Sequence, residues 1–334
     1  MRAISWPLWG LLIAAIVVPA IWFTVSEYSV PEEQRTVRVA VSRTPLSTPI
    51  YIADALGFFD DVGLKVELVE VIGGGRSFER VMSGQAEFGA SSDSVIVFKG
   101  LIRNDFVNLA TFVQSDNDVK IIAAEDNGIR DAADLRGKKV AVTKGSASEY
   151  FLTLWLGVSG VDASQVQMIN SNPEDMGKAL ENGEVDAIVP WEPYGYEVVR
   201  QFAGKAKVFQ TKGLYPLTFN LIARKDYAQN NSEVSRRFLK ALDMAIEHIS
   251  LAPHEAQQTM RKRLRLDQDF IRWVWTDYLF KLSLGRSLLL TLESQARWAL
   301  QSGQFAGMPS PDFSTMIDVR PLSAVKPTAV TLYR

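Results

Sequence analysis

The sequence predicts an α/β protein of two lobes, preceded by an N-terminal hydrophobic helix. Three observations carry that expectation. Strand-like and helix-like stretches alternate from residue 36 onward, the pattern of a largely parallel sheet covered by helices. The pattern restarts near residue 116, which implies a second lobe built on the same plan. An uncharged, mostly apolar run occupies residues 8–25. With 334 residues, 47% of them apolar, the chain has room for about two domains with buried cores.

The apolar run comes first in the chain. It follows Arg2 and precedes Glu27, Glu32 and Glu33, and Trp6, Trp9 and Trp22 stand where interfacial aromatics would. A spanning helix needs roughly 20 apolar residues and a signal-peptide core only about 7–15. Cleavage after Val18-Pro19-Ala20 would leave Ile21-Trp22-Phe23 at a mature terminus, so residues 1–30 read as a signal anchor before a signal peptide. Either reading exports the remainder across the membrane.

The strands and helices follow in order. TVRVAVS (36–42) alternates as a strand does. TPIYIADALGFFDDVGL reads as a helix ending near Gly57 with a further turn at Gly63. KVELVEVI (65–72) is a strand, Gly73-Gly74-Gly75 leads into a helix closed by Gly84, and AEFGAS (86–91) is a short strand. In the second lobe VKIIAAE (119–125) is a strand, RDAADLRG a short helix stopped at Gly137, and KKVAVTK a strand that enters the turn KGSASE and a helix. VQMIN (166–170) and VDAIVP (185–190) are strands flanking a helix that starts at Pro173, a favoured first position, and ends near Gly183. Beyond LTFNLIARKD (217–226) the chain is expected to be helical to about Gly303, with Leu239, Leu242, Met244, Ala245 and Ile249 at helical spacing. The tail, 304–334, reads as Pro-rich and irregular.

Composition excludes several functions. A net charge of −2 offers no basic footprint for nucleic acid. The chain has no cysteine, which removes disulfides, thiolate nucleophiles, cysteine-bound zinc, iron–sulfur clusters and a lipoprotein's lipid-bearing cysteine. His248 and His254, the two histidines, lie in a helical region and suit neither a metal centre nor a catalytic base. No cofactor is expected.

The turn KGSASE (144–149) decides between chemistries. A phosphate loop needs G-x-x-x-x-G-K-[ST], but Lys144 precedes the glycine and no lysine follows. Gly73-Gly74-Gly75 fails the same spacing. A nucleophile elbow needs G-x-S-x-G, and here Ser146 directly follows Gly145 with no closing glycine. What remains is a helix N-terminus at the carboxyl end of a strand, where free N–H groups and the helix dipole face a cleft. Ser146-x-x-Glu149 also reads as a capping box, with the serine capping the helix and the glutamate reaching back. The turn at 73–77 is the matching feature of the first lobe.

With these pieces in place the chain resembles the periplasmic solute-binding proteins of the nitrate, taurine, alkanesulfonate and thiamine-precursor ABC importers. TPIYIADALGFFDDVGLKVELVE, VMSGQAEFGASS, DLRGKKVAVTKGSASEYFL, ALENGEVDAIVPWEPYG and LESQARWAL with VKPTAVTL carry the resemblance, in that order. It implies a type II periplasmic-binding fold with hinge crossovers near 114–119 and 215–220. Lobe 1 would be 36–116 with 217–334, and lobe 2 would be 117–216. It implies ligand contacts at Thr48 and Tyr51, at Gly74, Gly75, Arg76 and Ser77, and at Ser91, Ser92 and Asp93. Further contacts fall at Gln114, at Gly145, Ser146, Ala147, Ser148 and Glu149, and at Trp191 and Glu192.

The implied function is a non-enzymatic receptor that closes on a small-molecule ligand and presents it to an ABC permease and ATPase. It would be periplasmic and tethered to the inner membrane through the N-terminal helix if that helix is uncleaved. The alternative is a membrane-anchored ligand sensor on the same fold. An enzyme is not expected: relatives that build the thiamine pyrimidine use a cysteine-rich motif that is missing here. Asp93, Glu149 and Glu192 outnumber Arg76 and Lys144 in the expected cleft, which favours a neutral or amine-bearing organic ligand over a strong anion.

Overall fold

Alternating β-branched residues at Thr36–Ser42 form the first strand, β1, paired on both sides within a sheet rather than at its edge. The computed structural model describes residues 36–302 and 305–332. Strands β2 (Lys65–Val71), β3 (Phe88–Ser92) and β4 (Phe106–Ser115) follow. Then come β5 (Ile122–Ala124), β6 (Lys139–Val142), β7 (Gln167–Asn170), β8 (Ala187–Ile188) and β9 (Ala206–Val208). β10 (Leu217–Arg224), β11 (Tyr278–Gly285) and β12 (Val330–Thr331) complete the set. They build two sheets: seven strands in the order β12-β11-β4-β10-β3-β1-β2, and five in the order β7-β6-β8-β5-β9.

Each sheet is parallel at one end, with β1 beside β2 and β3, and β6 beside β7 and β8. Helices Gly73–Met82, Asp93–Gly100, Ala147–Val158 and Pro173–Glu181 follow the strands whose carboxyl ends they continue. This is the α/β, two-lobed arrangement read from the sequence. The chain leaves the larger sheet after β4, runs through 116–121 into the smaller, and returns between β9 and β10. β4 and β10 then pair antiparallel along their length, from Leu217 opposite Ser115 to Arg224 opposite Phe106.

Two expectations need correction. The stretch DQDFIRWVWTDYLFKL is not one helix. The helix ends at Val274, and Tyr278–Gly285 is a strand paired antiparallel with β4. Its burial explains why: Tyr278, Leu282 and Leu284 are buried while Leu279 and Lys281 are exposed, a two-residue period that the helical reading overlooked. The tail is also more ordered than expected, with a helix at Arg320–Val325 and β12 lying parallel to β11. The N-terminal hydrophobic helix falls outside the described residues. Among the described residues no helix is long and apolar enough to cross a membrane.

Candidate ligand-binding site

A cavity of about 860 Å³ lies between the two sheets, within the usual range for small-molecule sites. Two turns supply its polar walls. In the first, Gly73 takes a left-handed φ of +80° and donates its N–H to Ser42 Oγ at 3.0 Å. A Cβ there would stand 3.0 Å from the Trp191 ring, so glycine lets the indole seat against this turn. The helix Gly73–Met82 that begins here has no side-chain cap. In the second turn Ser146 caps the helix Ala147–Val158, accepting from Ser148 N at 3.2 Å and donating to the Thr143 carbonyl at 2.7 Å.

Basic side chains on the cavity are Arg76, Arg80, Lys99 and Lys144, and the acidic ones are Glu70, Glu79 and Asp118. Lys99 pairs with Glu79, and Glu70 lies 3.1 Å from Arg263. Arg76 reaches from the first lobe to the second, with Nη1 3.3 Å from Glu174 Oε1 and Nη2 3.0 Å from Asn172 Oδ1. Both partners of that ion pair are well solvated, so its energy is about 1 kcal/mol or less. An apolar wall of Leu46, Val95, Phe98, Ile102, Phe219 and Phe305 faces the same space.

Polar groups without partners concentrate here. Five buried side-chain polar atoms have no hydrogen-bond partner among the described residues: Thr44 Oγ1, Asp118 Oδ2, Trp191 Nε1, Arg261 Nε and Gln295 Oε1. The first three belong to residues that line the cavity, and these are only 2%, 2% and 8% exposed. Leaving a buried polar group unmatched costs about 1–3 kcal/mol, so a cluster of them marks a surface shaped for something else to complete.

The sequence from residue 44 to residue 256 matches the family model described as NMT1/THI5 like. The chain belongs to the NMT1/THI5-like family. A candidate aliphatic sulfonates-binding protein from Bacillus subtilis (strain 168) is 30% identical over 230 residues, 66% of this chain and 68% of the relative. The alkanesulfonate-binding protein SsuA from Xanthomonas axonopodis pv. citri, bound to MOPS, superposes with a TM-score of 0.75 at 17% identity, covering 85% of this chain and 98% of that one. The periplasmic nitrate-binding protein NrtA from Synechocystis PCC 6803 superposes with a TM-score of 0.74 at 16% identity, covering 89% of each chain. At such identities the superpositions establish the fold, that of the two-lobed periplasmic binding proteins.

In this NMT1/THI5-like chain, eight of the residues expected from the sequence line the cavity: Gly74, Gly75, Arg76, Ser92, Gly145, Ser146, Ala147 and Trp191. The others, apart from the half-buried Gln114, are buried within the fold. Thr48 donates to the Pro45 carbonyl, Tyr51 to Ser42, Ser77 to Ala40 and Ser91 to Gly74. Gln114 sits in β4 opposite Thr218 and Leu279, away from the cavity. Ser148 Oγ, fully buried, donates to the Val189 carbonyl at 2.6 Å and accepts from Thr143 N at 3.1 Å. It braces the second turn from behind. Ser148→Ala should therefore lower the stability of the ligand-free protein by about 1–3 kcal/mol, measured by urea unfolding, because Thr143 N loses its acceptor.

The three carboxylates behind the expected ligand preference are also turned away. Asp93 accepts from Tyr215 OH, Ser94 N, Gln295 Nε2 and Thr218 N, and burial still pushes it up to about 6. Glu149 accepts from Gly145 N at 2.8 Å, one residue beyond the cap, as the capping reading implied. Glu192 is fully buried and accepts from Trp273 Nε1 at 2.7 Å and Tyr196 N at 3.0 Å. None of the three lines the cavity, so its wall lacks the excess of carboxylates expected from the sequence. Thr44 and Asp118 were not singled out from the sequence, nor were Asn172 and the aromatic wall. Of these, only Asn172 left a trace, as the residue before the helix-starting Pro173.

Proposed function

We propose that this chain is an extracytoplasmic receptor that captures a small organic sulfonate between its lobes and delivers it to an ABC importer by closing about the two crossovers. The observation that carries the reading is the cluster of unmatched buried groups on one cavity, Thr44 Oγ1, Trp191 Nε1 and Asp118 Oδ2. Two of these atoms are donors, and the uncapped start of Gly73–Met82 adds backbone N–H groups of the kind that hold anions at helix N-termini. Lys144, which makes no ion pair among the described residues, adds positive charge at the second turn. The apolar wall suits the organic body of the ligand, whereas a bare inorganic anion would leave it uncovered. Sulfonate binding by relatives in the same family points the same way.

Closure follows from population shift: a ligand touching both lobes favours the closed state by its differential affinity. The test is thermal unfolding against alkyl and aryl sulfonates. A true ligand present at one hundred times its dissociation constant should add about 2.7 kcal/mol to stability. If no organic sulfonate at millimolar concentration raises the midpoint, the reading fails.

A further inference from the structure

Asp118 sets a carboxylate on the wall of a cavity whose other unmatched groups suit an anion. It lies on the first crossover, 2% exposed, and is held from both sheets. Its carbonyl accepts from Glu192 N, beyond β8, at 3.1 Å, and its Oδ1 accepts from Tyr278 OH, at the start of β11, at 2.6 Å. Its Oδ2 has no partner among the described residues. The charges that bear on it are Glu192 and Asp277, both negative, and Lys120. Asp277 is matched by Lys212 at 2.6 Å and by Asn117. Lys120 lies 3.9 Å from Glu192 and donates to the Asn117 carbonyl. One buried ammonium thus serves two buried carboxylates. One negative charge is in excess, and a group so placed takes up a proton more readily than it stays ionised.

We propose that Asp118 meets the anionic ligand as a neutral carboxylic acid, its Oδ2–H donating to the anion, so that capture takes up a proton. This rests on the reading of the cavity as an organic-sulfonate site and adds a control on that site. Protonated, Oδ2 becomes a third donor beside Thr44 Oγ1 and Trp191 Nε1, and one requirement explains all three unmatched atoms on the cavity. Ionised, it repels the same ligand. Oδ1 can accept from Tyr278 in either state, which keeps the carboxyl oriented while the proton comes and goes. The direction of the pH dependence follows. Burial pushes Asp118 up to about 7 against the bond from Tyr278, with Glu192 and Asp277 adding to the rise and Lys120 opposing it. An anion beside the carboxyl raises it further in the complex. Above about pH 7 the complex therefore holds more protons than the free protein. Affinity is full below that pH and falls about tenfold for each unit above it.

The experiment is titration calorimetry with ethanesulfonate and octanesulfonate, which neither titrate near neutrality nor carry a hydrogen-bond donor. From about pH 6 to about pH 8 the wild type should lose about tenfold in affinity, and at about pH 8 buffers of different ionisation heat should show uptake approaching one proton. Asp118→Asn offers Oδ1 to Tyr278 and an N–H in place of the acid's O–H. It should bind at about pH 8 within about threefold of the wild type at about pH 6, with no proton uptake and little dependence on pH. Tyr278→Phe removes a bond that favours the ionised form and should move the midpoint of the wild-type pH dependence up by about one unit. Wild-type affinity constant within about twofold over this range, or binding without proton uptake at about pH 8, overturns the proposal and leaves the sulfonate reading standing. So does an Asp118→Asn protein that keeps the wild-type pH dependence, or a midpoint unmoved in Tyr278→Phe, since either places the titration on another group. If neither probe binds at millimolar concentration even at about pH 6, the sulfonate reading fails and this inference falls with it.

Discussion

Substituting Lys120 with methionine should destabilise the ligand-free protein by about 3–5 kcal/mol at pH 8, and by progressively less as the pH is lowered toward 5. The Lys120 side chain is 4% exposed and its ammonium lies 3.9 Å from a carboxylate that is fully buried. Gly195 makes room for the pair, since a Cβ there would come within 3.1 Å of Lys120 Cγ and 3.3 Å of Glu192 Oε1. Methionine fills the space of the stem but leaves Glu192 and Asp118 without a counter-charge, the arrangement in which breaking a buried pair is most costly. The sign of the pH dependence follows from the carboxylates. Burial raises Glu192 and raises Asp118 to about 7 even with Lys120 present, and removing the lysine raises both further. Folded protein then binds more protons than unfolded chain from the ordinary carboxylate range to beyond pH 7. Stability is therefore present at low pH and lost as pH rises through that window. Urea unfolding at about pH 5 and pH 8 measures the difference. A loss equal at both would mean that Lys120 acts through packing, and no loss would mean that the cluster is already neutral.

The same cluster shows where sequence reading stops. Glycines at 73–75, 137 and 145 and the strand pattern of β1 announce two lobes with turns facing a cleft, because local backbone geometry and side-chain period are one-dimensional signals. β4 carried no such signal. It is buried almost throughout, so FVNLATFVQS does not alternate, and its Asn108 and Thr111 are accommodated by bonding Asn220 on β10, with Asn108 also accepting from Ala110 N. Within the site, residue types were legible and their directions were not. Asp93, Glu192 and Ser148 have the chemistry of ligand contacts and stand beside the right turns, yet each meets a donor or acceptor from a distant segment first: Tyr215 and Gln295 for Asp93, Trp273 for Glu192, Val189 for Ser148. Asp118 is the converse. It stands on a connection with no pattern of its own, and its placement on the cavity depends on β11, a strand that the sequence alone was read as helix.

Trp191→Phe should weaken sulfonate binding about tenfold to a hundredfold while leaving the ligand-free stability within about 1 kcal/mol of wild type. The indole is 8% exposed and packs edge-on against Tyr194 with ring centroids 6.4 Å apart. Its Nε1 has no partner among the described residues. Phenylalanine keeps an aromatic ring against Gly73 and Tyr194 but cannot donate. Two effects on the free protein oppose each other: the smaller ring leaves a void, and the unmatched N–H, which is costly to bury, is gone. On binding nothing offsets the loss, because a bond to an ionised acceptor is of the stronger class, about 1.5–3 kcal/mol. Trp191→Ala would not discriminate, since it also removes the packing and should cost the fold about 3–5 kcal/mol. Calorimetric titration of Trp191→Phe with the sulfonate that gives the largest thermal shift separates the alternatives. Undiminished affinity would mean that the indole serves only to wall the cavity. The anionic head would then be held by the helix start at Gly73–Met82 and by Lys144, and the donor set drawn for this site would have to move to those groups.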